Sequence, residues 1–158
     1  IESDGEAEIV FLDQLLIEVM SEFQLLIEQE ERDIYIQVSP ESAKIKSHYD
    51  KLSRILVNLL NNAFKYSDPG TKIEVVAQLT EQILTISVKD EGQGIAPEDL
   101  DKIFKRLYRV ETSRNMKTGG HGLGLAIARE LAHQLSGEIT VESQCGLGST
   151  FTFTLNLT

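Results

Sequence analysis

What this chain of 158 residues lacks narrows its class before any motif is considered. It has one cysteine, Cys145, which excludes an internal disulfide and a zinc site built from several thiolates, and which fits a reducing compartment. It has no Pro-rich or Ser-rich tract, so no linker divides it. The longest apolar stretches are broken by charges within a few residues, so none is expected to span a bilayer. The first six residues, Ile1-Glu-Ser-Asp-Gly-Glu6, are unlike a signal peptide. Basic residues are outnumbered, 15 Lys and Arg against 25 Asp and Glu, and the resulting net charge of −10 argues against nucleic-acid binding because a phosphate backbone would be repelled. What remains, at 41% hydrophobic content, is a chain sized for a single globular domain over residues 1–158.

The acidic average has one exception. Between residues 102 and 117 stand Lys102, Lys105, Arg106, Arg109, Arg114 and Lys117, opposed by Glu111 alone. A charge run of this kind is usually a solvated surface. Its place between two glycine-rich motifs favours a functional reading instead.

Periodicity alternates between helix and strand. Apolar residues at Phe11, Leu12, Leu15, Leu16, Val19, Phe23, Leu26 and Ile27 predict one amphipathic helix from Phe11 to Glu30. Asp33 to Val38 alternates as a strand closed by Pro40, and Lys44 to Ser47 reads as a second short strand. A helix is predicted from Tyr49 to Tyr66, stopped by Asp68-Pro69-Gly70. Lys72 to Leu79 and Ile83 to Lys89 read as antiparallel neighbours joined near Thr80-Glu81-Gln82, which leaves Asp90 at a strand end. A helical turn is expected from Ile103 to Arg106, then a mobile loop from Val110 to Gly120, where apolar periodicity is missing. Leu123 to Leu135 is predicted helical, with Gly137 just past its end. Strands from Glu138 to Ser143 and from Ser149 to Leu157 finish the chain.

Four short motifs carry the chemistry. Asn58 and Asn62 are four apart, so on a helix their carboxamides share a face; alone, such a pair is more often chance than function. Asp90-Glu-Gly92-Gln-Gly94 is by itself more often a turn than a site, yet its glycines remove side chains where a flat ring could approach backbone. Gly119-Gly120-His121-Gly122-Leu123-Gly124-Leu125 precedes a helix, where free N–H groups and the helix dipole favour phosphate; the bland alternative is a hinge. It matches neither the P-loop nor the dinucleotide fingerprint. Gly146-Leu-Gly148-Ser-Thr150 is the fourth.

In this order and spacing the segments resemble the ATP-binding catalytic domain of bacterial sensor histidine kinases. Asn58-Leu-Leu-Asn-Asn62-Ala-Phe-Lys65-Tyr66 is similar to that family's N box, and Asp90 to Gly94 to its first G box. Ile103-Phe104-Lys-Arg106-Leu-Tyr108-Arg109-Val110 is similar to its F box, Gly120 to Leu125 to its second G box, and Gly146 to Phe151 to its terminal glycine motif. The resemblance runs from about Ile9 onward, and five weak motifs in order make it specific.

It implies an α+β fold, a two-layer sandwich with helices on one face of a mixed, mostly antiparallel sheet, the Bergerat ATP-binding fold. It implies ATP or ADP with Mg²⁺ as cofactors. Asp90 would accept a hydrogen bond from the adenine amino group and so select adenine over guanine. Asn62 would coordinate Mg²⁺ through its carbonyl oxygen, with Asn58 one turn away supporting phosphates or metal-bound water. Lys65 and Arg109 would neutralise phosphate charge, Arg109 at the transferred group, while Tyr66 and Tyr108 would line the pocket with Gly92, Gly94 and Ile95. Gly120, His121, Gly122, Leu123, Gly124, Leu125 and Thr150 would complete it. His121 stands where the family often has a small hydroxyl residue, and its role is left open between phosphate contact and solvent. The residues of the basic segment would form a lid.

The histidines do not match the family's acceptor motif, since none of His48, His121 and His133 is followed by an acidic residue. The resemblance therefore implies partners: a histidine-bearing dimerisation domain of the same parent and a response-regulator receiver domain. It also implies a cytoplasmic placement in a membrane-anchored parent, without direct membrane contact by this piece and without autophosphorylation by it alone. Two rivals stand beside this reading. Hydrolysing ATPases of the gyrase, chaperone and mismatch-repair type use an N-box glutamate as general base; Asn58 occupies that place, and an amide cannot accept the proton. A non-catalytic ATP-binding or partner-binding module is the other.

Overall fold

A computed structural model describes residues 6–100, 102–104 and 124–158. Among the described residues the main sheet has five strands in the order β2-β4-β5-β7-β6, and helices cover one of its faces. Its members are β2 (Asp33–Ser39), β4 (Lys72–Thr80), β5 (Ile83–Asp90), β6 (Gly137–Gln144) and β7 (Gly148–Asn156). Among the described residues the β2–β4 pair of this sheet is parallel and its other three ladders are antiparallel. The architecture is the two-layer α+β sandwich that the resemblance implies.

Period-two alternation builds the inner face of the sheet. Ile73, Val75 and Ala77 of β4 lie beside Leu84, Ile86 and Val88 of β5, which in turn lie beside Phe151, Phe153 and Leu155 of β7, all buried. Against them pack α1 (Leu12–Ser21), α3 (Tyr49–Lys65) and α4 (Gly124–Gln134). In α3 the residues Leu52, Ile55, Leu56, Leu59, Leu60 and Ala63 recur at helical spacing and are buried together. Burying each of these Leu and Ile side chains is worth about 1.5–3 kcal/mol, and this central helix therefore has a fixed rotation about its axis. That rotation sets where the polar residues between the apolar ones emerge.

The expected single helix from Phe11 to Glu30 is not formed. Glu8–Phe11 is instead strand β1, paired antiparallel with β3 (Lys44–Ser47), and the remainder divides into α1 and α2 (Gln24–Glu30). Glu22 and Phe23 end α1 with tight bonds back to Val19 and Met20, and the chain restarts at Phe23. Phe23 is buried with its ring stacked on Phe64 of α3, centroids 5.0 Å apart. Tertiary packing of one aromatic thus overrides a helical pattern that continues through the break. The other predicted elements form within a residue or so of their expected ends. The predicted turn at Ile103 lies at the edge of the described residues, and the loop from Val110 to Gly120 lies outside them.

A candidate adenine-nucleotide site

Asp90 occupies a position where the strand pattern calls for an apolar residue. It continues the inward series Leu84, Ile86, Val88 of β5, and its register partners are Ile73 on one side and Ser149 on the other. The residue is only 4% exposed. Burial pushes its carboxyl up from the ordinary 3.8 to about 6; main-chain N–H groups of Gly92 and Ser149 and the field of Arg32 act in the opposite sense. The Gly92 N–H donates to Asp90 Oδ1 at 2.8 Å, closing an Asx turn. A carboxylate has about four lone-pair directions, more than the two main-chain N–H groups of Gly92 and Ser149 use among the described residues.

The backbone around this carboxylate is packed too closely for side chains at two glycines. A Cβ on Gly92 would run into the Tyr66 carbonyl oxygen, and one on Gly148, whose φ is +106°, would run into the Asp90 carbonyl oxygen. The loop is further zipped to the β6–β7 turn. Gly146 N–H donates to the Gln93 carbonyl at 2.6 Å, and Ile95 N–H donates to Ser143 Oγ at 2.7 Å. Ser143 Oγ in turn lies 2.8 Å from Ser149 Oγ. The first and last glycine motifs, 50 or more residues apart in sequence, thus form one wall around Asp90.

Helix α3 forms the adjoining wall. Asn58 and Asn62 are half-buried on it, whereas Asn61 between them is exposed, as the helical period requires. The C-terminal end of α3 meets the Asp90 loop, where Gln93 N–H donates to the Tyr66 carbonyl at 3.4 Å. Farther up the helix, Asn58 faces the start of α4: a Cβ placed on Gly124 would lie 3.5 Å from Asn58 Oδ1. Eight residues of helix separate Tyr66 from Asn58, about 12 Å at 1.5 Å per residue. One wall, α3, therefore runs from the Asp90 loop at Tyr66 to the start of α4 at Gly124.

Lys65 and Tyr66 close α3, with Lys65 Nζ 5.9 Å from the Tyr66 ring centroid. Ile95 is buried behind the Asp90 loop, and Gly124 and Leu125 are half-buried in the first turn of α4. Thr150 is not brought to Asp90. It pairs with Lys89, and strand alternation turns it to the side opposite Ser149 and Phe151, so Ser149 fills the place that Thr150 was expected to share. Tyr108, Arg109, Gly120, His121, Gly122 and Leu123 lie outside the described residues. Among the described residues no three His, Cys, Asp or Glu side chains gather to hold a metal ion. The donor set at α3 suits only an ion that arrives with phosphates and waters.

Three residues of this region escape the sequence reading. Ser149 and Ser143 share strand parity with Phe151 and with Ile139, a signal available in principle. Arg32 sits in Glu30-Glu-Arg-Asp33, which looks like a solvated charge run, yet its side chain is fully buried. His48 precedes α3, and His133 of α4 lies 3.0 Å from Glu138 Oε1 of β6. A groove of about 600 Å³ between α1 and β2, lined by Asp13, Ile17 and the run from Ile36 to Glu41, lies two strands from Asp90 toward the other end of the sheet.

With this geometry in view, similarity to known proteins decides the class. Residues 47–158 match the model of the histidine kinase-, DNA gyrase B- and HSP90-like ATPases. The chain belongs to that family. It is 43% identical over 150 residues, 94% of its length, to the histidine protein kinase SaeS of Staphylococcus epidermidis, and 42% identical over 151 residues to SaeS of Staphylococcus aureus. It spans 43% of the length of these relatives. Among solved structures it resembles the nucleotide-free catalytic domain of the histidine kinase ThkA, with a TM-score of 0.85 at 25% identity and 97% coverage of each chain. It also resembles full-length ShkA in complex with AMPPNP, with a TM-score of 0.82 at 27% identity, covering 94% of this chain and 30% of that one. This member of the family is thus a histidine kinase catalytic domain in fold.

Proposed function

We propose that the domain binds Mg-ATP between α3, the Asp90 loop and the start of α4, and donates the γ-phosphoryl group to a histidine on the dimerisation domain of its parent sensor kinase. The observation that carries this reading is the buried carboxylate of Asp90, flanked by the first and last glycine motifs. A buried carboxylate with spare acceptor capacity suits the exocyclic amine of adenine and opposes the carbonyl that guanine offers there. The complex of ShkA with AMPPNP supports a nucleotide in this class of fold.

The phosphates would extend along α3 toward Gly124, where main-chain N–H groups and the helix dipole favour negative charge. Asn62, and Asn58 one turn before it, would offer carboxamide oxygens, hard neutral donors for a Mg²⁺ that the nucleotide brings with it. Bound there, that ion supplies charge neutralisation to the phosphates. Lys65 and Arg109 would add positive charge, Arg109 at the transferred group. Phosphoryl transfer asks mainly for alignment and charge stabilisation, and the carboxamide of Asn58 cannot take a proton from water. The phosphohistidine would then supply an aspartate on a response regulator, and the parent would be membrane-anchored with this domain in the cytoplasm. Among the described residues no helix is long and apolar enough to cross a membrane.

The test is transfer itself. The domain is mixed with Mg-ATP labelled in the γ-phosphate and with the separately produced dimerisation domain, and acid-labile label is followed on the acceptor. Labelled acceptor with the wild type and none with Asn62→Ala is the expected outcome. Tight nucleotide binding with no labelled acceptor would leave a binding module in place of a kinase.

A further inference from the structure

Arg32 is a charged residue placed where the fold does not obviously need charge. Its side chain has no exposure to solvent, and all five of its N–H groups are donated. Nε donates to Glu30 Oε1 at 2.7 Å. Nη1 donates to Ser67 Oγ at 2.7 Å and to Thr71 Oγ1 at 3.0 Å. Nη2 donates to the main-chain carbonyls of Phe64 at 3.0 Å and of Ser67 at 2.9 Å. The guanidinium also lies 5.1 Å from the Phe64 ring centroid, behind the Phe23–Phe64 stack.

Four of these five bonds fall on one short stretch, the turn that leads from the end of α3 into β4. A planar guanidinium is a rigid fork, so bonds to Phe64, Ser67 and Thr71 fix those groups relative to one another. The residue inside that grip is Tyr66, whose carbonyl accepts from Gln93 N–H and lies against the Gly92 backbone. A buried charge is costly, and apolar packing of equal volume is often as stable. The charge here does two things that apolar packing would not: it sits at the negative end of the α3 dipole, and its field reaches the Asp90 carboxylate.

We propose that Arg32 is a positioning residue for the adenine end of the pocket: it fixes the Phe64–Thr71 turn and, through the Tyr66 carbonyl, sets where the Gly92–Gly94 loop meets the base. This inference rests on the adenine-nucleotide reading above. Its mark is a loss of base selectivity. A residue that merely stabilised the domain would lower affinity for every nucleotide alike.

The test compares wild type with Arg32→Gln, with Thr71→Val as a milder removal of one arm, and with Asp90→Asn as the control. Each is titrated with Mg-ADP and Mg-GDP, and hydrogen exchange is read at the Gly92 and Gln93 amides without nucleotide. Arg32→Gln is expected to lower ADP affinity on the order of tenfold with a smaller change for GDP, and to speed exchange at both amides. Thr71→Val is expected to move all three quantities the same way by about twofold to threefold. A folded Arg32→Gln variant with the wild-type ADP-to-GDP ratio overturns the proposal, whether both affinities hold or fall together. Should that variant not fold, Thr71→Val decides, and a wild-type ratio with wild-type exchange overturns it. A wild type that does not prefer ADP, or an Asp90→Asn variant equal to it, refutes the adenine reading instead. Amide exchange then still decides the link from Arg32 to the loop: unchanged rates overturn it and faster rates support it.

Discussion

Replacing Asp90 by asparagine is expected to separate stability from recognition. Asp90 is 4% exposed, and burial holds its carboxyl at about 6 in place of 3.8. An acid whose folded value is raised keeps its proton in the folded state where the unfolded chain has lost it. Folding then takes up a proton between these two values, so this group's contribution is most favourable below 3.8, declines as pH rises through about 6, and is flat above. A shift of about two units corresponds to about 3 kcal/mol of cost for carrying the charge at neutral pH. That cost is already net of the Gly92 and Ser149 bonds, which hold the value down, and asparagine, with no charge to bury, removes it. The nucleotide-free variant is therefore expected to be up to about 3 kcal/mol more stable than wild type at neutral pH, and to lose this advantage as pH falls toward 4. Binding moves the other way, with ADP affinity reduced by about 1–3 kcal/mol because the amide offers a weaker acceptor and a competing donor. Urea denaturation across a pH series, with ADP and GDP titrations alongside, reads both. A variant destabilised equally at every pH, or one that binds ADP as wild type does, would refute the reasoning.

Three further outcomes follow from the same geometry. Asn62→Ala is expected to abolish most of the Mg²⁺-dependent part of ADP affinity and to leave the metal-free part, measured by isothermal titration with and without Mg²⁺; equal Mg²⁺ dependence in both proteins would remove the metal-ligand role. Gly148→Ala places a Cβ against the Asp90 carbonyl at a φ of +106° and is expected to cost about 2–4 kcal/mol of stability in a thermal or urea melt; a loss below about 0.5 kcal/mol would mean the turn relaxes freely. Arg109→Ala is expected to lower the rate of phosphoryl transfer about 100-fold or more while changing ADP affinity far less, and unchanged transfer would exclude Arg109 from contact with the transferred group.

Much of this site is legible because two simple periods control it. The helical period of α3 places Asn58 and Asn62 together, and the strand period of β5 carries Asp90 to the inner face after Leu84, Ile86 and Val88. The same strand rule, applied to β7, would have chosen Ser149 over Thr150. Arg32 is a different matter, because its partners are the ends of elements 32 to 39 residues away and its sequence neighbours are all acidic. Burial of a charge depends on tertiary closure that no local pattern records. The break between α1 and α2 has the same origin, since the stack of Phe23 on Phe64 draws the chain out of a helical pattern that its own sequence sustains. The expected contributions of Tyr108, Arg109, His121 and the glycines before Gly124 lie outside the described residues and rest on the motif alone.

The account stands most directly on where a nucleotide touches the domain. Amide chemical shifts, assigned in the wild-type protein and followed as Mg-ADP is added, locate that contact residue by residue. The largest changes are expected along one continuous wall: Asn58, Asn62 and Tyr66 on α3, Asp90 to Ile95 in the adjoining loop, Ser149 at the start of β7, and Gly124 and Leu125 at the start of α4. Changes centred instead on Asp13, Ile17 and the run from Ile36 to Glu41, in the groove between α1 and β2, would contradict it.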